Sequence, residues 1–229
     1  MPRYWDSKLV KMDETQNKRI LIITDSLALP RSKPEVTLYE DTYPYLLQKK
    51  YRVLQLSYGG GTIKEIVHQA HYYLSFNPDF IILQSGIVDC AYRAFPLIID
   101  KGSLYSKTID IYRTVVAKLL NPKKLRRVFR FRYTKPQEFQ NTLTSLKDDF
   151  PNTTLIAIGI VQGSIEYEKK VPGISDSIKC YNNLLIEAVG SSRFVDLTDM
   201  SPECVMSDCH HINKKGHLYI YNRLITMLD

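Results

Sequence analysis

Residues 19–30 read RILIITDSLALP. Ile20, Leu21, Ile22 and Ile23 are apolar at consecutive positions, the signature of a strand covered on both faces. The run then stops at Thr24-Asp25-Ser26, residue types that turn a chain and cap helices. Four further runs share this character: YRVLQLSY (51–58), DFIILQSG (79–86), TLIAIGIV (154–161) and RFVDLT (193–198). Between them lie segments with helical periodicity. TIKEIVHQAHYYLS (62–75) places Ile63, Ile66, Val67, Ala70 and Leu74 on one stripe, and SDSIKCYNNLLIEAVG (175–190) behaves likewise, with Ser175 as expected N-cap and Gly190 as stop. NKKGHLYIYNRLITML (213–228) reads as a closing helix. Strand and helix alternating in this way predict an α/β class domain, a mostly parallel five-stranded sheet between helices. In such sheets ligands collect beyond the carboxyl ends of the strands.

The chain has 229 residues, long enough for one such domain spanning 1–229. Residues 87–150 separate the third and fourth strands by more than one crossover helix requires, and are expected to form a helical insertion. Within it, KLLNPKKLRRVFRFRYTK (118–135) holds eight Lys or Arg residues. That run is either a solvated helix face or a weak contact to an anionic surface. No recognised nucleic-acid motif accompanies it. The net charge of +7 identifies no partner by itself. Cys90, Cys180, Cys204 and Cys209 show no CxxC pair or finger spacing, so free thiols in a reducing, cytoplasmic setting are expected, without a disulfide framework or a zinc site. The first 18 residues lack the continuous apolar stretch of a secretory signal, and no run approaches a membrane span.

Four short segments fall at strand ends or helix starts: TDSL, SYGGGT, QSGIVDC and SDCHHINKKGH. Ser26 either caps the following helix or presents its hydroxyl to the crevice, where it needs a base to act as a nucleophile. Asp208 and His211 stand three residues apart, so one turn can bring carboxylate to imidazole, orient the ring and stabilise its cation. The alternative is a polar loop capping the last helix. His210 would point elsewhere on that turn, and His217 is expected to be a surface or packing residue. Gly59-Gly60-Gly61 lets backbone approach a ligand closely, or simply makes a tight turn capped by Thr62.

In this order the segments resemble the blocks of the SGNH, or GDSL-type, hydrolase superfamily. The resemblance runs from residue 19 to the C-terminus and rests on about a dozen motif positions. It implies a three-layer α/β/α flavodoxin-like fold and a serine ester hydrolase. Ser26 matches the nucleophile, although Thr24 replaces the usual glycine; Gly60 matches the second block, and Asp208 with His211 the last. The oxyanion would be held by the backbone N–H groups of Ser26 and Gly60. The third block departs from the family: Gly86-Ile87-Val88-Asp89 stands where Gly-x-Asn-Asp is usual, and Val88 has no side-chain donor. Loss of one such donor typically costs about 100- to 1000-fold in turnover. Asp89 and Arg93 are expected either to bind a polar group of the substrate or to pair with each other. The chemistry requires neither a metal nor an organic cofactor. The expected substrate is an O-acyl ester of a small polar or carbohydrate molecule. Transfer of the acyl group to a sugar hydroxyl, or a catalytically weak relative that binds a glycan or a partner, are the alternatives.

Overall fold

All five expected strands are present, and they pair side by side in parallel. The computed structural model describes residues 18–93, 126 and 130–229. The strands are β1 (Arg19–Thr24), β2 (Arg52–Ser57), β3 (Phe80–Gln84), β4 (Thr154–Ile158) and β5 (Phe194–Val195). Their order across the sheet is β2-β1-β3-β4-β5, with Ile22 opposite both Gln55 and Ile82 in register. Because β1 sends the chain first to one side and later to the other, its carboxyl end is the topological switch point, where a crevice opens. Ser26 lies two residues beyond it.

Consecutive apolar residues in the strands serve two cores. Leu21, Ile23, Ile81, Leu83 and Leu155 face α2 (Ile63–His71), α4 (Pro136–Asp149) and α6 (Ile174–Val189). Ile20, Ile22, Ile82 and Ile156 face α1 (Tyr43–Gln48) and α7 (Lys214–Leu228). The result is three layers. Each fully buried Ile or Leu contributes about 1.5–3 kcal/mol relative to an exposed one, which anchors the strand that carries the serine. Two short helices, α3 (Ile87–Cys90) and α5 (Ile165–Lys170), sit at the strand ends.

The structure shortens several expected elements. The fourth run stops at Ile158 because the side chain of Asn182 takes over as pairing partner: Ile160 N–H donates to its Oδ1 at 2.8 Å and its Nδ2 donates to Ile160 O at 3.2 Å. The fifth run pairs only at Phe194–Val195, since Asp196 Oδ1 accepts the Thr198 N–H and turns the edge strand away. Helix α6 begins one residue before Ser175. Gly173, in a left-handed conformation at φ 83°, is its N-cap, and the Ser175 hydroxyl donates to Glu168 at 2.9 Å instead. Of the expected insertion over 87–150, α3 and α4 are seen. Residues 94–125 and 127–129, with most of the basic run, lie outside the described residues. No helix among the described residues is long and apolar enough to cross a membrane.

Candidate active site

At the end of β1 Ser26 does not cap the following turn. Asp25 is the cap: its Oδ1 accepts the Leu27 N–H at 2.9 Å and starts a single 3-10 turn over Ser26–Ala28. That turn leaves the Ser26 hydroxyl free of capping duty. Ser26 Oγ lies 3.0 Å from His211 Nε2.

His211 arrives from the loop before α7, and the loop is built to hold it. Met206 N–H donates to His211 O at 2.8 Å, and Cys209, at φ 77°, closes a turn by donating to Met206 O at 2.9 Å. Asn213 caps α7 by accepting the Lys215 and Gly216 N–H groups. Inside this turn Asp208 Oδ1 accepts the N–H groups of His210 and His211 at 3.2 and 3.0 Å, while Oδ2 accepts from His211 Nδ1 at 2.5 Å. With Nδ1 donating, Nε2 is left to accept from the serine hydroxyl. Burial pushes Asp208 up, but the hydrogen bonds from the His211 ring and the two backbone N–H groups outweigh it and hold the carboxyl at about 2. Burial pushes His211 down, the Asp208 bond pulls it up, and the neighbouring His210 ring and Arg31 lower it further, to about 4. At neutral pH the pair is therefore carboxylate and neutral imidazole. Asp208, His210 and His211 also bring ligand-type atoms within 4.8 Å of one another. Two of the three already spend theirs on each other.

Gly60 adopts φ 74°, a left-handed conformation that glycine accepts without strain. Gly61 N–H closes onto Tyr58 O at 2.9 Å, whereas the N–H groups of Ser26 and Gly60 have no protein acceptor among the described residues. Thr62 starts α2 as expected, with its own N–H and hydroxyl both given to Glu65 at 2.8 Å. Val88 is buried in the apolar core. Asp89 is also fully buried, and it points inward: it accepts the Ile63 N–H at the start of α2 at 3.1 Å, together with the Thr134 hydroxyl. Burial raises it to about 6. Asp89 and Arg93 do not pair; Arg93 instead lays its guanidinium 4.9 Å from the Tyr133 ring centroid.

Three neighbours lacked a clear signal in the sequence. Arg31, five residues past the serine, donates from Nη2 to Ser26 O at 2.7 Å. Tyr167 stacks on His210 at 5.7 Å between ring centroids, and His210 in turn lies 4.1 Å from the His211 ring. Glu35 reaches across from the same loop as Arg31 to accept the Ser207 N–H at 3.1 Å, joining the serine loop to the histidine loop. His217 is a packing residue: it is buried, with Tyr43 N–H donating to its Nδ1 at 3.4 Å.

Asp25 provides a test of this buried polar floor. Its second oxygen has no hydrogen-bond partner among the described residues, and burial pushes its pKa from 3.8 to about 7. A folded pKa above the unfolded one means that the folded state holds the proton longer, so stability falls as pH rises from about 4 to about 7 and then levels. Asp25→Asn keeps the oxygen that accepts from Leu27 and removes this titration. The variant is expected to gain on the wild type by about 1.4 kcal/mol per pH unit across that window. Urea unfolding at pH 5 and pH 7.5 checks it. A gap that stays constant between the two would mean Asp25 is ionised throughout.

Comparison with known proteins places the fold. No family model and no curated protein matches the chain. Solved structures do. A lipase/acylhydrolase from Enterococcus faecalis superposes with a TM-score of 0.62 at 14% identity, covering 91% of this chain and 94% of its own. Phospholipase A1 from Streptomyces albidoflavus gives 0.57 at 11% identity, covering 92% and 99%. A lipolytic protein of the G-D-S-L family from Desulfitobacterium hafniense gives 0.56 at 12%, covering 92% and 99%. The chain has the α/β fold of the SGNH/GDSL-type hydrolases.

Proposed function

We propose that this chain is a serine acyl-ester hydrolase acting on an O-acyl ester of a small polar or carbohydrate molecule. The observation that carries the reading is the continuous chain of contacts from Ser26 Oγ through the His211 ring to Asp208, at 3.0 and 2.5 Å. Ser26 Oγ attacks the acyl carbonyl as His211 Nε2 takes its proton, and Asp208 stabilises the imidazolium. The tetrahedral oxyanion is held by the N–H groups of Ser26 and Gly60. His211 returns the proton to the leaving alcohol as the C–O bond breaks. Water, deprotonated by the same nitrogen, then releases the acid and restores the serine. A sugar hydroxyl in place of that water would give acyl transfer.

A fluorophosphonate probe tests the reading: wild type is expected to label at Ser26 and the Ser26→Ala protein not to label. Val88 favours a second reading, a weakly catalytic relative that binds a glycan or partner, because the side-chain donor at that position is gone. A wild type inert both to the probe and to short acyl esters would support it.

The base also predicts a pH profile. His211 must be neutral to accept a proton, and its pKa of about 4 means that the rate rises with pH through that value and is full well below neutrality. Hydrolysis of a neutral acetyl ester from pH 3 to 8 should show a single acid limb near 4. A limb at 6 to 7 would mean that the ring is solvated in the working enzyme.

A further inference from the structure

Two arginines act on the Ser26–His211 pair and its neighbours, and one of them, Arg93, meets no anion among the described residues. Arg31 touches the Ser26 carbonyl, and its charge reaches Asp208 and the His210 ring. The charge of Arg93, from a different segment, lowers the pKa of the same His210 ring and of Tyr167, which stacks against it. Arg93 is fixed in place by its backbone: its N–H donates to Phe131 O at 2.7 Å, and the guanidinium rests on Tyr133. Its Nε is buried and has no hydrogen-bond partner among the described residues. An orphaned donor of this kind costs about 1–3 kcal/mol unless something accepts from it.

The nearby carboxylates are engaged elsewhere. Asp208 is filled by His210 and His211, Asp89 by Ile63 and Thr134, and Asp25 caps Leu27. Glu35 holds Ser207, and Glu168 closes onto Gly173 and Ser175. Among the described residues Arg93 has no carboxylate partner. A guanidinium is a rigid fork whose geometry matches the oxygens of a carboxylate or phosphate, so it can recognise such a group by two parallel bonds.

We propose that the ester cleaved at Ser26 carries an anionic group, a carboxylate or a phosphate, which Arg93 binds beside His210 while Arg31 adds its field. The inference rests on Ser26 being the nucleophile. It narrows the substrate to acidic acyl esters, and it assigns to Arg93 the choice among esters rather than the bond-breaking step.

Three matched esters test it: mono-O-acetyl glucose, mono-O-acetyl glucuronate and mono-O-acetyl glucose 6-phosphate. Wild type is expected to favour at least one acidic ester over the neutral one by about tenfold or more in kcat/KM, chiefly through KM. The better of the two separates carboxylate from phosphate. Arg93→Gln should bring the ratio close to one, and Arg93→Lys should keep part of it. Equal kcat/KM for all three esters, or a preference that survives Arg93→Gln, would overturn the assignment. A second measurement needs no variant: inorganic phosphate or glucuronate should slow fluorophosphonate labelling of wild-type Ser26 at concentrations where glucose does not. Labelling indifferent to both anions also counts against an anion site. Absence of labelling without any competitor would instead remove the nucleophile on which the inference stands.

Discussion

Ser26→Ala is expected to lower ester turnover by about 10⁶-fold, with the fold intact. Only the hydroxyl oxygen is lost, and its one hydrogen-bond contact among the described residues is with His211 Nε2 at 3.0 Å. Asp25, which makes the turn, keeps its bond to Leu27, and β1 keeps both sheet neighbours. Stability should therefore change little while chemistry stops, because among the described residues no other hydroxyl stands against the imidazole. The hydroxyl nearest in sequence, Thr24, is fully buried and bonded to Ser57 at 2.7 Å. The measurement is kcat for a short acetyl ester beside the unfolding midpoint. An alanine variant that retains more than about one hundredth of the wild-type rate would place the nucleophile elsewhere.

Asp208→Asn is expected to cost about 10⁴-fold in kcat. The substitution is nearly isosteric, so Oδ1 can still accept from the His210 and His211 N–H groups and hold the turn. The amide nitrogen then faces His211 Nδ1, where the carboxylate accepted a proton, and two donors cannot share that position. The ring answers by moving its proton to Nε2, which turns the base into a donor towards Ser26. The pH limb should change with it, since the negative charge that raised the imidazole pKa is gone. A loss of less than about tenfold would mean that Asp208 anchors the loop without setting the tautomer.

Much of this was legible in the sequence, for a physical reason. Strands buried on both faces must be apolar at consecutive positions, so Ile20–Ile23 and Phe80–Leu83 announce themselves locally. Asp208 and His211 are close in sequence, and their contact is fixed by one turn. Contacts across long separations were not legible. Asn182 ends β4 from 22 residues away, and Asp89 serves the start of α2, a helix that precedes it by 26 residues. The same distance hides the stacking of Tyr167 on His210. Gly173 displaced Ser175 as a cap because Glu168, on the preceding helix, claims the serine hydroxyl. Arg31 was the nearest miss: it lies on the serine's own loop, but an arginine in a loop gives no sign of which way it reaches.

The hydroxyl sits just past the first strand in the chain, and the ring that meets it arrives 185 residues later, just ahead of α7. If Ser26 is the nucleophile as proposed, nearly the whole polypeptide must be made before any acyl bond is at risk from it. On the proposed reading, chains that end before His211 are expected to hydrolyse no ester, and the onset of turnover would mark the docking of α7 against the sheet.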